Sequence, residues 1–237
     1  MDAPSARRDE LRCQIANPAP VRPLPAPSRR TRLLMPLALL VIVAAPLLYG
    51  RRKDLTTYAP LATWGLSALQ SCVGLWLLAM ALREAVPGEN VSTRALTLAA
   101  SLALGLVVAV TLLTYALSPT PVPPGYAWAF WKECFIIPTL VASPLLLVAT
   151  LMVARAFPTR PAVAGALCGL SAGILSDAGW RVSCNVSSPA HVFGAHGLAV
   201  LAMAGVGSLV AVLADSARWT RLRAARPPHT ATGDKRT

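Results

Sequence analysis

Long apolar runs with almost no charged residue constrain this chain more than any other feature of its sequence. About 20 apolar residues are needed to cross the hydrocarbon core of a bilayer, and six segments approach or exceed that length. A lipid-exposed backbone must satisfy its own hydrogen bonds, so each segment is predicted to be a helix. The predicted spans are Leu33–Tyr49, Leu61–Leu82, Ala95–Leu117, Phe135–Ala154, Ala162–Trp180 and Phe193–Ala214. The sequence therefore predicts an all-α polytopic membrane protein with six transmembrane helices.

The distribution of Lys and Arg predicts the orientation of these spans. Six spans place both termini on the same side of the membrane, and the more basic side is normally cytoplasmic. The segments on the side of the termini carry 17 Lys and Arg residues, whereas the opposite loops carry five. The Arg51-Arg52-Lys53 cluster opposes this bias locally. We therefore expect both termini to be cytoplasmic.

Composition supports the same architecture. The chain is 55% hydrophobic and 14% charged, and its formal net charge is +12. The apolar content argues against a soluble nucleic-acid-binding protein, and a basic excess is typical of loops that orient a membrane protein. The predicted organisation is a Pro/Arg-rich tail over 1–32, a membrane domain over 33–215 and a basic tail over 216–237. Each tail is either a solvated anchor next to anionic lipid or a docking segment for a cytosolic partner.

The fifth predicted span carries Gly165, Gly169 and Gly173, which are spaced four residues apart. Residues at this spacing share one face of a helix, and glycines there let a neighbouring helix approach closely. We expect this face to pack against another helix. Asp177 is the next position on the same face, near the outer end of the span. An acidic residue inside a span is a functional candidate by default, but one turn from the interface it can also simply be hydrated.

Two of the five cysteines are predicted to lie at the outer surface of the membrane. Cys134 begins the fourth span, and Cys184 lies in the loop between the fifth and sixth spans. Thiols at an outer surface form a disulfide, bind a soft metal ion or react with an oxidant. The remaining cysteines lie in a tail or within spans, where a thiol packs as a small apolar group: Cys13, Cys72 and Cys168.

Two histidines follow Cys184 along the chain, His191 and His196, and His196 is expected near the outer end of the sixth span. Two cysteines with one or two histidines resemble a metal ligand set, but their spacing is not diagnostic. A histidine at a membrane interface is more often a hydrogen-bonded packing residue. The sequence by itself therefore assigns no metal, no cofactor and no catalytic residue.

A small permease or a metal-handling transporter is the alternative function that six spans suggest. Transport sites are typically built from ionisable residues or broken helices near the bilayer midplane. Asp177 is the only acidic residue inside a predicted span, and it lies near one end. A membrane thiol oxidoreductase, the third class, normally needs an additional exchanging thiol pair. Neither alternative is well supported by the sequence.

The order of several sequence elements resembles the NrsF-like integral-membrane anti-sigma factors, which are negative regulators of extracytoplasmic-function sigma factors. The resemblance covers roughly residues 10–219. Each element is loose by itself, but their order, together with six spans and two outer cysteines, is fairly specific. The elements are Leu11–Pro27, Cys134, Pro158–Gly173, Cys184, Ala195–Val200, and Arg218 with Trp219.

The resemblance implies a function that composition does not show. Members of the family hold a sigma factor inactive at the inner membrane through their cytoplasmic face, and they release it when a heavy metal or an oxidant acts on paired cysteines. Cys134 and Cys184 match these sensing positions, and His196 matches a site near the sixth span. Asp177 is added as a candidate supporting residue because of its position in the fifth span. The resemblance therefore implies a regulator rather than an enzyme, with a sigma factor and the lipid bilayer as partners and no direct contact with nucleic acid. The Pro-rich N-terminal tail departs from the family pattern, which leaves open the segment that binds the sigma factor.

Overall fold

A computed structural model of the chain describes residues 24–52, 60–117 and 126–224. Every secondary-structure element in these ranges is helical, which confirms the predicted all-α class. Five long helices are followed by one helical turn, a π-helical segment and a last long helix, and these three form one continuous rod. The elements are α1 (Pro27–Tyr49), α2 (Pro60–Glu84), α3 (Thr93–Leu117), α4 (Tyr126–Ala154), α5 (Pro161–Trp180), α6 (Pro189–His191), the π segment (Val192–Gly197) and α7 (Leu198–Ala224).

Proline marks the start of four of these helices, which begin at Pro27, Pro60, Pro161 and Pro189. The missing N–H of a proline has no partner within the first helical turn in any case, and its fixed φ suits the helix. Glycine follows the end of α1, where Gly50 adopts a φ of 77° that L side chains rarely adopt. Local residue preferences therefore set several of the boundaries between the apolar segments.

Six helical segments are long and apolar enough to cross a membrane, as the apolar runs predict. They are Pro27–Tyr49, Thr63–Glu84, Thr93–Leu117, Trp131–Ala154, Pro161–Trp180 and Pro189–Thr220. The first span is longer than predicted because α1 begins at Pro27 rather than at Leu33. The sixth begins at Pro189 rather than at Phe193, so the helical rod includes the residues just before the predicted span.

Helix α5 lies at the centre of the bundle. Fifteen of its 20 residues are buried, and it packs against α1, α2, α4 and α7. Helix α3 lies at the edge, where it contacts α2 and the π segment. Large apolar side chains on the outer helices stay exposed, among them Leu47, Leu98, Leu140 and Leu209. Such surfaces suit contact with lipid, because lipid tails are as apolar as leucine.

The glycine face of α5 packs against α7. A Cβ atom built on Gly169 would lie 2.5 Å from the carbonyl carbon of Met203 and 2.7 Å from the Cα atom of Ala204. Carbon atoms attract best at about 3.5–4.0 Å, so only glycine permits this approach. Gly165 and Gly173 meet α7 in the same way. The packing of α5 against α7 therefore depends on the absence of side chains along one face of α5.

Ser171 lies on α5 at the centre of residues 169–173, whose sequence GLSAG matches the G-x-S-x-G pattern of hydrolase nucleophiles. In that pattern the serine sits on a sharp strand-to-helix turn that exposes its hydroxyl. Here the segment is continuous helix, and the buried Ser171 hydroxyl donates to the Gly74 carbonyl oxygen at 2.8 Å. Ser171 therefore joins α5 to α2 rather than presenting a nucleophile.

The end of the bundle where α1 begins and α7 ends, called the tail end, contains buried charges. Arg30 is buried, and its guanidinium donates to the carbonyl oxygens of Met152 at 2.7 Å and Leu82 at 3.5 Å. Arg30 falls within the predicted polar tail, so its burial is not indicated by the charge pattern of the sequence. Glu84 accepts two hydrogen bonds from Arg160, at 2.6 and 2.8 Å. Both buried charges are thus compensated by groups from other segments, as burial requires.

Candidate functional site

The two cysteines predicted at the outer surface lie in contact at the opposite end of the bundle, called the thiol end. Cys134 Sγ and Cys184 Sγ are 3.5 Å apart, both side chains are buried, and both are free thiols. The chain turns sharply after α5, because the Cys184 N–H donates to the Trp180 carbonyl oxygen at 2.9 Å. The Arg52 N–H fixes this turn by donating to the Val182 carbonyl oxygen at 2.9 Å. The turn brings the two sequence-distant thiols together.

The surroundings of Cys184, which lies between two spans, favour its charged form. A hydrogen bond with Cys134 holds the pKa of the Cys184 thiol below its ordinary value, although burial acts in the opposite direction. His191 Nε2 lies 3.6 Å from the Cys184 sulfur and adds to this effect. The thiolate is the form that binds metal ions and reacts with oxidants. Cys184 is therefore the member of the pair that is suited to begin both reactions.

Two histidines lie beside the thiol pair because the helix between them is π-helical. His191 and His196 are five residues apart, and in an α-helix this spacing would turn them about 140° from each other. The π segment widens the turn, and the two ring centroids lie 5.4 Å apart. Nδ1 of His191 and Nε2 of His196 are buried and have no hydrogen-bond partner among the described residues. Such π-helical turns occur frequently at functional sites.

Asp177 is buried near the end of α5 rather than hydrated at the interface. One of its carboxylate oxygens lies 2.6 Å from His196 Nδ1, and the other accepts a hydrogen bond from Gln70 Nε2 at 2.6 Å. The guanidinium of Arg181 lies 3.6 Å from the carboxylate and compensates its charge. Asp177 therefore connects the histidine beside the thiols to helix α2.

Gln70 and Arg181 are parts of this network that the sequence analysis missed. Arg181 is counted there as a loop charge, but its side chain is buried and donates to Gln70 Oε1 at 2.9 Å and to Thr114 Oγ1 at 2.5 Å. The signal that could have found Arg181 is its i,i+4 spacing from Asp177 across the end of α5. A lone amide inside an apolar span is the weaker signal for Gln70. The network joins α2, α3, α5 and the π segment.

Four side chains at the thiol end have the arrangement of a metal ligand set. Cys134, Cys184, His191 and His196 each offer one ligand atom, and these atoms lie within 4.8 Å of one another. No metal site could be predicted from the sequence, because spacing along the chain does not reveal the alignment of the histidines. A disulfide would require the sulfur atoms to close from 3.5 Å to about 2.05 Å. The arrangement thus permits both ligation and oxidation with small movements.

Among the residues that the structure describes, the other two cysteines are not members of this four-residue group. Cys168 is buried within α5, and Cys72 is exposed on α2. Cys13 lies outside the described residues. Cys72 and Cys168 can therefore serve as control positions when the thiol pair is substituted.

The fold and the site define a class of protein. Six helices of membrane-spanning length carry a buried network of thiol, imidazole and carboxylate groups at one end, as in a multi-pass membrane protein with a polar site near one membrane face. The family model of NrsF, described as negative regulator of sigma F, matches residues 15–219. The chain belongs to this family, a family of sigma-factor regulators rather than of enzymes. Comparisons with curated proteins and with solved structures find no match.

Proposed function

We propose that this protein is an integral-membrane anti-sigma factor that holds an extracytoplasmic-function sigma factor at the inner membrane. A stress signal, either a heavy metal or an oxidant, acts on Cys134 and Cys184 and releases the sigma factor. The family match over residues 15–219 supports the regulatory part of this proposal. The contact between the two sulfur atoms supports the sensory part. The sigma factor is the partner, and the protein itself makes no direct contact with nucleic acid.

The proposed orientation has the tail end in the cytoplasm and the thiol end at the outer face. The segments at the tail end carry 17 of the 22 Lys and Arg residues, in keeping with the positive-inside rule. A sigma factor acts on RNA polymerase in the cytoplasm, so it must bind at the tail end. The two predicted tails, 1–32 and 216–237, include the start of α1 and the end of α7, which both lie at this end of the bundle. They are the proposed docking segments.

Helix α5 supports communication between the two ends of the bundle. Near the thiol end it carries Asp177, which contacts His196, and Arg160 just before its first residue holds Glu84 at the tail end. Because α5 is packed on several sides, a displacement at one end is passed on rather than absorbed. A signal shifts an equilibrium only through different affinities for the two states. Modification of the thiols therefore favours a bundle arrangement that has lower affinity for the sigma factor.

Co-purification tests the regulatory part of this proposal. The full chain carrying an affinity tag is solubilised from membranes in a mild detergent, and bound proteins are identified by mass spectrometry. We expect a sigma factor to be enriched with this chain and not with an unrelated six-span protein carrying the same tag. Recovery of the chain without any sigma factor would contradict the proposal.

Cysteine substitutions test the sensory part. Cys134→Ser and Cys184→Ser should each abolish the induction of sigma-dependent transcription by Cd²⁺ and by the thiol oxidant diamide. The double variant should match either single variant, because the two thiols act as one unit. Cys72→Ser and Cys168→Ser are the controls, and immunoblots of the membrane fraction check the abundance of each variant. Induction of wild-type amplitude in the double variant would show that the pair is structural.

A further inference from the structure

We infer that Cys134, Cys184, His191 and His196 form a four-ligand site for a thiophilic divalent cation of the Zn²⁺ or Cd²⁺ class. The inference rests on the proposed function, because it names the ligand through which the thiol end receives its signal. Two thiolates and two imidazoles are a ligand set of tetrahedral zinc sites. Such soft and borderline ligands disfavour Mg²⁺ and Ca²⁺, which prefer oxygen.

The ligand atoms have nearly the spacing that one ion requires. With Zn–S bonds of about 2.3 Å and Zn–N bonds of about 2.0–2.1 Å, the ligand atoms of a tetrahedron lie roughly 3.3–3.8 Å apart. The two sulfurs are 3.5 Å apart, and Cys184 Sγ lies 3.6 Å from His191 Nε2. The whole set falls within 4.8 Å. Ligation therefore requires only a small inward movement of the most distant atoms.

The orientation of His196 suits a metal ligand. Its Nδ1 lies 2.6 Å from a carboxylate oxygen of Asp177, and its ring is buried. When Nδ1–H donates to this carboxylate, Nε2 of the neutral ring carries the lone pair that a cation needs. This Nε2 is buried without a hydrogen-bond partner among the described residues, yet it belongs to the ligand group. A carboxylate that fixes the ring of a metal-bound histidine is a common second partner in zinc sites.

Asp177, the carboxylate partner of His196, is itself held in place by hydrogen bonds. Asp177 accepts a hydrogen bond from Gln70 at 2.6 Å, and Gln70 accepts one from Arg181 at 2.9 Å. Outer partners of this kind fix the tautomer and orientation of a ligating histidine. The network of Asp177, Gln70 and Arg181 therefore supports the proposed metal site.

The charges of the ligands also match the charge of a divalent cation. Both cysteines bind as thiolates and both histidines as neutral rings, so uptake of one divalent cation releases the protons that the thiols still carry before ligation. The two thiolate charges then cancel the charge of the ion, which reduces the cost of burying it. The bound cation joins α4, the turn after α5, α6 and the π segment. This link is the structural change by which the cation would alter the bundle.

Binding of Co²⁺ to the purified full chain tests the site. The protein in detergent is reduced with a phosphine, freed of metal and titrated with Co²⁺, because tetrahedral cobalt bound to thiolates absorbs strongly in the visible range. We expect one Co²⁺ per chain, and we expect Zn²⁺ to displace it. Cys134→Ser and His191→Ala should each weaken the visible band and lower the affinity. Asp177→Asn keeps all four ligands and should lower the affinity about 10–100-fold.

Two matched variants control for general effects of substitution. Cys72→Ser removes a cysteine outside the group, and His229→Ala removes the third histidine of the chain. Both should bind Co²⁺ as the unsubstituted chain does, and helical circular dichroism checks that every variant is folded. Weak absorption typical of octahedral cobalt, or equal binding by His191→Ala and the unsubstituted chain, would overturn the four-ligand site. The proposed function can fail while the metal site stands: this is the result if Co²⁺ binds as expected but no sigma factor co-purifies.

Discussion

Replacement of Gly169 by alanine is expected to force α5 and α7 apart. The added Cβ would lie 2.5 Å from the carbonyl carbon of Met203 and 2.7 Å from the Cα atom of Ala204. Because both neighbours are backbone atoms, they cannot rotate away as a side chain would. The helices must separate by about 1 Å to reach an ordinary carbon contact, and a gap of that size forfeits roughly a quarter to a half of the attraction between facing atoms.

The free energy of folding that Gly169→Ala costs follows from this geometry. Overpacking of a well-packed core typically costs about 1–3 kcal/mol, and a backbone contact places Gly169→Ala near the upper value. A loss of about 3 kcal/mol lowers the folding equilibrium constant by roughly 100-fold. The higher helix propensity of alanine, up to about 1 kcal/mol, offsets only part of this loss.

Unfolding by sodium dodecyl sulfate in mixed micelles, followed by helical circular dichroism, measures the effect. Gly205→Ala is the matched control on α7, because a Cβ there would meet no atom within 4 Å. Its unfolding midpoint should equal or slightly exceed that of the unsubstituted chain. Equal midpoints for Gly169→Ala and Gly205→Ala would refute the close approach of α5 and α7.

Topology and the tail end give two further predictions. Reporter fusions that are active only outside the cytoplasm should be active after Ser188 and inactive after Pro227, and activity after Pro227 would reverse the proposed orientation. Arg30→Ala leaves the Met152 carbonyl oxygen without its charged donor and should cost about 1.5–3 kcal/mol in the same unfolding assay. The exposed Arg29→Ala should stay within about 0.5 kcal/mol, and no difference between these two variants would argue against an anchoring role for Arg30.

The six helices could be predicted from the sequence because a bilayer imposes length and apolarity on each span separately. The start of α1 could not be predicted, because Arg29, Arg30 and Arg32 interrupt the apolar run. The buried charge of Arg30 is compensated by carbonyl oxygens of α2 and α4, which lie far away in the sequence. A buried arginine of this kind depends on contacts between distant segments. The predicted span therefore starts at Leu33, although the helix begins at Pro27.

The thiol pair could be predicted to share one end of the bundle because alternating spans fix the ends at which Cys134 and Cys184 lie. The alignment of His191 with His196 could not, because α-helical periodicity separates them and only the π-helical turn brings their rings together. The role of Arg181 depends on an amide 111 residues earlier in the chain. The membrane thus determines the positions of whole helices, while the chemistry of the site depends on local irregularity and long-range pairing.

The amount of sigma factor on the membrane before and after a thiol-directed signal tests the central claim most directly. Cells that express the tagged full chain are treated with Cd²⁺ or diamide, and the sigma factor in isolated membranes is quantified by mass spectrometry. The account predicts that the sigma factor is present on untreated membranes and is lost on treatment, both for the unsubstituted chain and for Cys72→Ser. The double variant Cys134→Ser/Cys184→Ser should retain it. A sigma factor that is missing from untreated membranes, or that leaves the double variant as readily as the unsubstituted chain, would contradict the account.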